Sequence, residues 1–225
     1  MKNIAIILAG GTGSRVGGDV PKQLLPLQDG RSILEHSVDA FEQADCIDEI
    51  AVVMHPDWVA EAETLCRKNG WRKVTRVIVG GNERWESSWK AIEAVRGLGD
   101  EQVNLWLHDA ARPFVSQRIL ADVAEALETH EAVTVAVPVT DTLYRVESGK
   151  WKVESVASRS EYMRAQTPQA FRLAVIQEAF ERALKSGEIE ATDDVGIVRK
   201  YMPEVPISIV SGEENNRKIT YKEDI

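Results

Sequence analysis

"NIAIILAGGTGSRVGGDVPKQLL", residues 3–25, is the stretch that decides how this chain is read. Its first part, "NIAIILA", is a nearly continuous apolar run, the pattern of a strand covered on both faces of a parallel sheet. A glycine-rich turn follows at Gly10, Gly11 and Gly13. Two familiar phosphate loops are excluded by spacing. Counted from Gly11, the last glycine of a dinucleotide fingerprint falls on Val16. Gly13 and Gly18 match the P-loop spacing, but Asp19 and Val20 follow where Lys and Ser or Thr belong. What remains is a turn whose backbone N–H groups can close around a triphosphate, because glycine removes Cβ obstruction. Arg15 and Lys22, seven residues apart, supply full positive charge from its two ends. Pro21 stiffens the approach of Lys22 by fixing its own φ.

Outward from this loop, strand-like runs alternate with helix-period segments. "SILEHSVDAF" carries Ile33, Leu34, Val38 and Phe41 at helical spacing, with Ser32 and Glu35 forming a capping box. "EIAVVM" reads as a strand and "DWVAEAETLC" as a helix with Asp57 as N-cap. "VTRVIV" is a third strand and residues 83–95 a helix, with Trp85 and Trp89 as core candidates. "VNLWLH", "SQRILADVAEAL" and "AVTVAVPV" continue the strand, helix, strand rhythm. Such alternation predicts an α/β fold, a Rossmann-like doubly wound and mainly parallel sheet. Ligands in such folds sit beyond the carboxyl ends of the strands. The loop after strand one, Gly80-Gly81 after strand three and His108-Asp109 after strand four all fall there.

The rhythm breaks over residues 139–160, where apolar residues flank a Ser148-Gly149 turn. This predicts a β-hairpin that either folds back on its own domain or projects as an arm to pair with a second subunit. We expect the second. Thr167-Pro168-Gln169 is expected to shape a turn near the site. Leu173, Ile176, Phe180 and Leu184 mark an amphipathic helix, "TDD" at 192–194 caps a shorter one, and "VPISIV" is a last strand. The whole of 1–225 is expected to be a single domain.

Composition narrows the function. Thirty-six acidic against 27 basic residues give a net charge of −9, which disfavours nucleic acid or an anionic membrane as partner. A small polyanion still fits if a few cations converge locally. Cys46 and Cys66 lack the pattern of a disulfide framework or zinc site. No apolar run approaches the roughly 20 residues of a membrane span. A cytoplasmic protein is expected.

Several motifs occur in order: "LAGGTGSRVGGDVPKQLL", "GGNERWESS", "HDAARPFV", "PVTDTLYRV", "AQTPQAFR", "ATDD" and "NNRKIT". Together they resemble the 2-C-methyl-D-erythritol 4-phosphate cytidylyltransferases of the non-mevalonate isoprenoid pathway, over nearly the whole chain. The ribitol 5-phosphate cytidylyltransferases, which make CDP-ribitol, share most of this scaffold and are the alternative. The resemblance implies a nucleotidyltransferase-type domain, a homodimer with embracing β-arms, CTP carried with Mg²⁺, a small phosphosugar alcohol as acceptor, and release of pyrophosphate. It implies catalytic roles for Arg15, Lys22, Arg159 and Lys218. Nucleotide contacts are implied at Ala9, Gly10, Gly11, Gly13, Gly81, Asn82, Ser87 and Ala110, and acceptor contacts at Asp109, Arg112 and Thr142. The arm residues would act in the neighbour's site.

The residues suit such a reaction. A phosphate monoester has a second pKa of about 6, so it is mostly a dianion at neutral pH and needs no base. Positioning and charge neutralisation then suffice. Mg²⁺ is expected on the CTP phosphates rather than in a protein cage, and no protein metal ligand is expected. His108 is expected to be a packed histidine, not a base.

Overall fold

In a computed structural model of the chain, residues 1–11, 20–97, 103–187, 189 and 191–225 are described. A seven-stranded sheet forms the body, in the order β3-β2-β1-β4-β8-β5-β9. Its strands are β1 (Lys2–Ala9), β2 (Glu49–Met54), β3 (Val74–Val79), β4 (Val103–Asp109), β5 (Ala132–Pro138), β8 (Met163–Arg172) and β9 (Ser208–Ser211). Pairing is parallel throughout except for β8, which runs antiparallel to both β4 and β5. The helices are α1 (Ile33–Glu42), α2 (Val59–Asn69), α3 (Arg84–Val95), α4 (Gln117–Thr129), α5 (Leu173–Ser186) and α6 (Asp194–Tyr201).

Alternation along β1 explains the two-layered core. Ala5 and Ile7 join Val38 and Phe41 of α1 and Leu120 and Val123 of α4 on one face. Ile4 and Ile6 join Ile92 of α3, Phe180 of α5 and Val198 of α6 on the other. All of these side chains are buried. Each removes an apolar side chain from water, worth about 1.5–3 kcal/mol for the larger ones. Trp85 and Trp89 pack against the second layer. Among the described residues no helix is long and apolar enough to cross a membrane.

Local signals set the helix starts that face the ligand end. The Ser32–Glu35 capping box forms as expected. At α2, however, Asp57 is not the cap: Pro56 opens a 3-10 turn, and the His55 ring accepts the Asp57 N–H instead. Proline favours such a first-turn position, which moves the start of α2 on to Val59. Leu184 is 38% exposed, and Ala183 takes the inward position expected of it.

Thr167-Pro168-Gln169 does not make a turn. It lies within β8, with a cis Thr167–Pro168 peptide and a register irregularity opposite Thr134 and Val135. Proline cannot donate to a ladder, so a sheet accommodates it at such an irregularity.

The hairpin over 139–160 consists of β6 (Tyr144–Glu147) and β7 (Lys152–Val156), paired antiparallel as a separate two-stranded sheet. Gly149 and Trp151 turn the chain with φ of 75° and 51°. Every residue of both strands is exposed, so the hairpin does not fold back on the body.

Candidate active site

The carboxyl ends of β1 and β4 and the loop after β3 open into one cleft of about 320 Å³. Ala9, Gly10 and Gly11 form one wall. Gln23, almost fully buried, holds that wall by donating from Nε2 to the Gly11 carbonyl at 2.7 Å and to the Ala9 carbonyl. Lys22 precedes it in a 3-10 turn that starts after Pro21, whose φ is −55°. The Lys22 ammonium donates to the Ile219 carbonyl at 2.7 Å, so the first loop and the C-terminal segment meet over the cleft.

The loop after β3 builds the opposite wall. Glu83 and Glu86 form a reciprocal cap at the start of α3. The Glu86 carboxylate also accepts the Asn82 N–H at 2.7 Å. Gly81 is required by this packing, since a Cβ there would lie 2.2 Å from that of Glu86. Its N–H donates to the buried Ser87 hydroxyl at 3.0 Å.

Asp109, at the end of β4, is the charged centre. The Lys218 ammonium donates to Oδ2 at 2.7 Å, and Arg84 Nε donates to Oδ1 at 3.3 Å. Burial alone would raise the Asp109 pKa, but Arg84 and Lys218 overcome it and hold the carboxyl well below the usual carboxylate range. Arg84 also pairs with Asp194 at 2.8 Å. Burial opposes the charge on Arg84, and the two carboxylates more than restore it, raising its pKa.

The segment carrying Lys218 is firmly tied. Buried Asn216 donates to Gln166 and to the Thr167 carbonyl, at 3.1 and 2.9 Å. Arg112 donates to the Asn216 and Ala165 carbonyls, at 2.8 and 3.2 Å. Ile219 is buried and its N–H donates to the Ala111 carbonyl at 2.8 Å.

His108 lies behind Asp109, fully buried beside Phe41. One ring nitrogen faces the Thr167 hydroxyl at 3.0 Å and the other the Arg112 carbonyl at 3.1 Å. Burial pushes its pKa down to about 4, so it is neutral at neutral pH.

Of the residues singled out from sequence, Ala9, Gly10, Gly11, Lys22, Gly81, Asn82, Ser87, Asp109, Ala110 and Lys218 all line this cleft. Arg112 stands beside it, tied to the C-terminal segment and β8. Thr142 and Arg159 do not reach it within the chain. Both lie exposed at the arm, where Arg159 donates to the Thr140 carbonyl at 2.7 Å. Gly13 and Arg15 lie outside the described residues. Gln23, Arg84 and Asn216 carry no role in the reading from sequence, and Asp194 only that of part of a helix cap, although each falls within a quoted motif. Arg84 had the clearest signal, a cation directly at a helix start on the ligand side.

Among the described residues no three His, Cys, Asp or Glu side chains cluster to hold a metal. Among the described residues both cleft carboxylates already have partners, Glu83 in the α3 cap and Asp109 in Arg84 and Lys218.

Comparison with known proteins agrees with this geometry. Residues 3–225 match the family model described as IspD, 2-C-methyl-D-erythritol 4-phosphate cytidylyltransferase. The chain is 46% identical to the enzyme of that description from Thermobifida fusca, over 98% of this chain and 89% of that protein. A bifunctional ribulose 5-phosphate reductase/CDP-ribitol pyrophosphorylase from Haemophilus influenzae is 39% identical over 100% of this chain but only 47% of its own length. The crystal structure of 4-diphosphocytidyl-2C-methyl-D-erythritol synthase from Anaerococcus prevotii superposes with a TM-score of 0.83 at 28% identity, covering 99% and 94% of the two chains. Fold, cleft and sequence thus agree, and the chain belongs to the 2-C-methyl-D-erythritol 4-phosphate cytidylyltransferase family.

Proposed function

We propose that this protein transfers the cytidylyl group of CTP to 2-C-methyl-D-erythritol 4-phosphate in non-mevalonate isoprenoid precursor synthesis. The products are 4-diphosphocytidyl-2-C-methyl-D-erythritol and pyrophosphate. The observation that carries the reading is the meeting of Lys22, Lys218 and Asp109 in one glycine-walled cleft of a family member.

In this reading an oxygen of the acceptor phosphate attacks the α-phosphorus of CTP, and the bond to the β-phosphate oxygen breaks. The acceptor arrives as a dianion, so no proton moves. His108 supports that account by being neutral, buried and engaged at both ring nitrogens. Lys22 and Arg15 would neutralise the triphosphate as charge crowds at phosphorus. Ala9, Gly10, Gly11, Gly13 and Ala110 would let backbone approach the nucleotide, with Gly81, Asn82 and Ser87 on its other side. Lys218 and Arg112 would hold the acceptor phosphate. Asp109, kept ionised, would accept hydrogen bonds from acceptor hydroxyls. Mg²⁺, held mainly by CTP oxygens, would supply further neutralisation of the phosphates.

Thr142 and Arg159 would complete the site of a second copy in a homodimer. The exposed apolar side chains of Tyr144, Val146, Trp151, Val153 and Val156 support that role for the arm. The protein would then be one nucleotidyltransferase domain over 1–225, with the arm as an insertion. We assign it to the cytoplasm, consistent with free cysteines at Cys46 and Cys66 and with its use of CTP. A pyrophosphate-release assay with Mg-CTP, comparing the two phosphosugars, tests the acceptor. Faster turnover of 2-C-methyl-D-erythritol 4-phosphate is expected, and preference for ribitol 5-phosphate overturns the assignment.

A further inference from the structure

Asp194 is a buried carboxylate that the reaction above does not use. It has no measurable exposure and lies in the first turn of α6. Among the described residues neither of its oxygens has a hydrogen bond of good geometry, and its charge is met by Arg84 at 2.8 Å. Gln169 of β8 fixes this end of α6 by accepting the N–H groups of Asp194 and Val195, each at 3.1 Å. A carboxylate removed from water is costly unless an opposite charge meets it. Its guanidinium partner reaches in the other direction to Asp109, at the cleft. Asp194, Arg84, Asp109 and Lys218 therefore alternate in sign along one line from the interior to the cleft.

We infer that Arg84 and Asp194 are positioning residues for the acceptor side of the site: Asp194 anchors Arg84, and Arg84 orients Asp109. Asp194 prevents the guanidinium from turning wholly toward Asp109 or toward the phosphates of an arriving nucleotide. Asp109 is left with one oxygen on Arg84 and the other on Lys218, facing the acceptor in a fixed orientation. This inference rests on the function proposed above. It goes beyond that reading by giving work to two residues on α3 and α6.

The test is steady-state kinetics of Asp194→Asn, Arg84→Gln, Arg84→Lys and the Asp194→Asn/Arg84→Gln double variant, each substrate varied in turn. Misplacement of a substrate-binding group by about an ångström can cost about 10²-fold. An acceptor KM raised by about that factor is expected in Asp194→Asn and in Arg84→Gln. The CTP KM should stay near the wild-type value, and the double variant should be no worse than Arg84→Gln. Arg84→Lys should be intermediate, because one ammonium cannot span both carboxylates. Equal losses for CTP would show that Arg84 grips the nucleotide directly, and additive penalties that the residues act separately. Either result overturns the inference, as does wild-type kinetics in folded Asp194→Asn.

If Asp194→Asn does not fold, Arg84→Lys decides by the same acceptor-specific loss. A substrate-free readout separates this inference from the assigned reaction. The groups facing Asp109 are Arg84, Lys218, Arg112, His108 and Thr167, and the carboxyl resonance of Asp109 should titrate higher in Arg84→Gln than in wild type. An unchanged titration defeats the positioning role even if the wild-type enzyme turns over as expected. A wild type that turns over neither phosphosugar defeats the assigned reaction, and the acceptor-positioning role falls with it.

Discussion

At the cleft, Asp109 is held by cations from two other elements, Arg84 of α3 and Lys218 of the C-terminal segment. At the arm, Trp151 stands 97% exposed and Tyr144, Val153 and Val156 are each more than half exposed. One region has charged groups brought indoors and matched. The other has apolar groups left outdoors. Buried charges persist only when paired, and clustered exposed apolar groups mark surfaces that meet another molecule. The contrast teaches that the cleft's buried charges are matched within one chain, while the arm's apolar groups are left unmatched by it.

The sharpest way to break this contrast is Lys22→Ala. Its expected cost to the chemical step is about 10²–10³-fold, with a smaller loss of CTP affinity, as for removal of a single group that stabilises a developing charge. Single-turnover kinetics and a CTP titration separate the two effects. Equal losses would mean that Lys22 only binds the ground state.

Arg159→Ala tests whether the arm supplies a neighbour's site. It should cripple turnover, and mixing it with Lys22→Ala protein should regain part of the activity through dimers that keep one complete site. No regain after verified subunit exchange contradicts the cross-subunit role. Val146→Ser with Val153→Ser should shift the protein from dimer to monomer in sedimentation. The body should keep its stability within about 0.5 kcal/mol, as expected for exposed positions. A monomeric wild type would refute the arm's role outright.

Legibility followed the same division. The parallel body could be read because its central strands β1, β2 and β5 are largely apolar on both faces and α1, α3, α4 and α6 carry local caps. β8 could not, because Thr167-Pro168-Gln169 has turn chemistry and only tertiary pairing with β4 and β5 makes it a strand. The cleft glycines and lysines stood out by motif. Arg84 and Asp194 did not, since their importance comes from a contact between two helices far apart in the chain. Gln23 was hidden for a similar reason: nothing in its spacing shows that it holds the carbonyls of the first loop.

Smaller effects sharpen the cleft side. His108 has a folded pKa of about 4 against an ordinary 6.5. Between those values the unfolded chain holds the additional proton, so stability present above pH 6.5 is lost as pH falls toward 4. The full loss is about 3 kcal/mol by linkage. Urea unfolding at pH 7 and pH 5 should show this slope in wild type and not in His108→Gln. Equal slopes would place the titrating group elsewhere. Ser32→Ala, which removes the α1 cap, should cost about 1 kcal/mol in the same measurement and leave turnover unchanged. A change in turnover would mean that α1 is coupled to the cleft.

The central claim is that an oxygen of the acceptor phosphate attacks the α-phosphorus of CTP and that pyrophosphate leaves without any acceptor oxygen. Acceptor carrying ¹⁸O on its phosphate, turned over with unlabelled Mg-CTP and analysed by mass spectrometry, tests it directly. The account predicts all of the label in the cytidyl product and none in pyrophosphate. Label in pyrophosphate, or its loss to water, would contradict it.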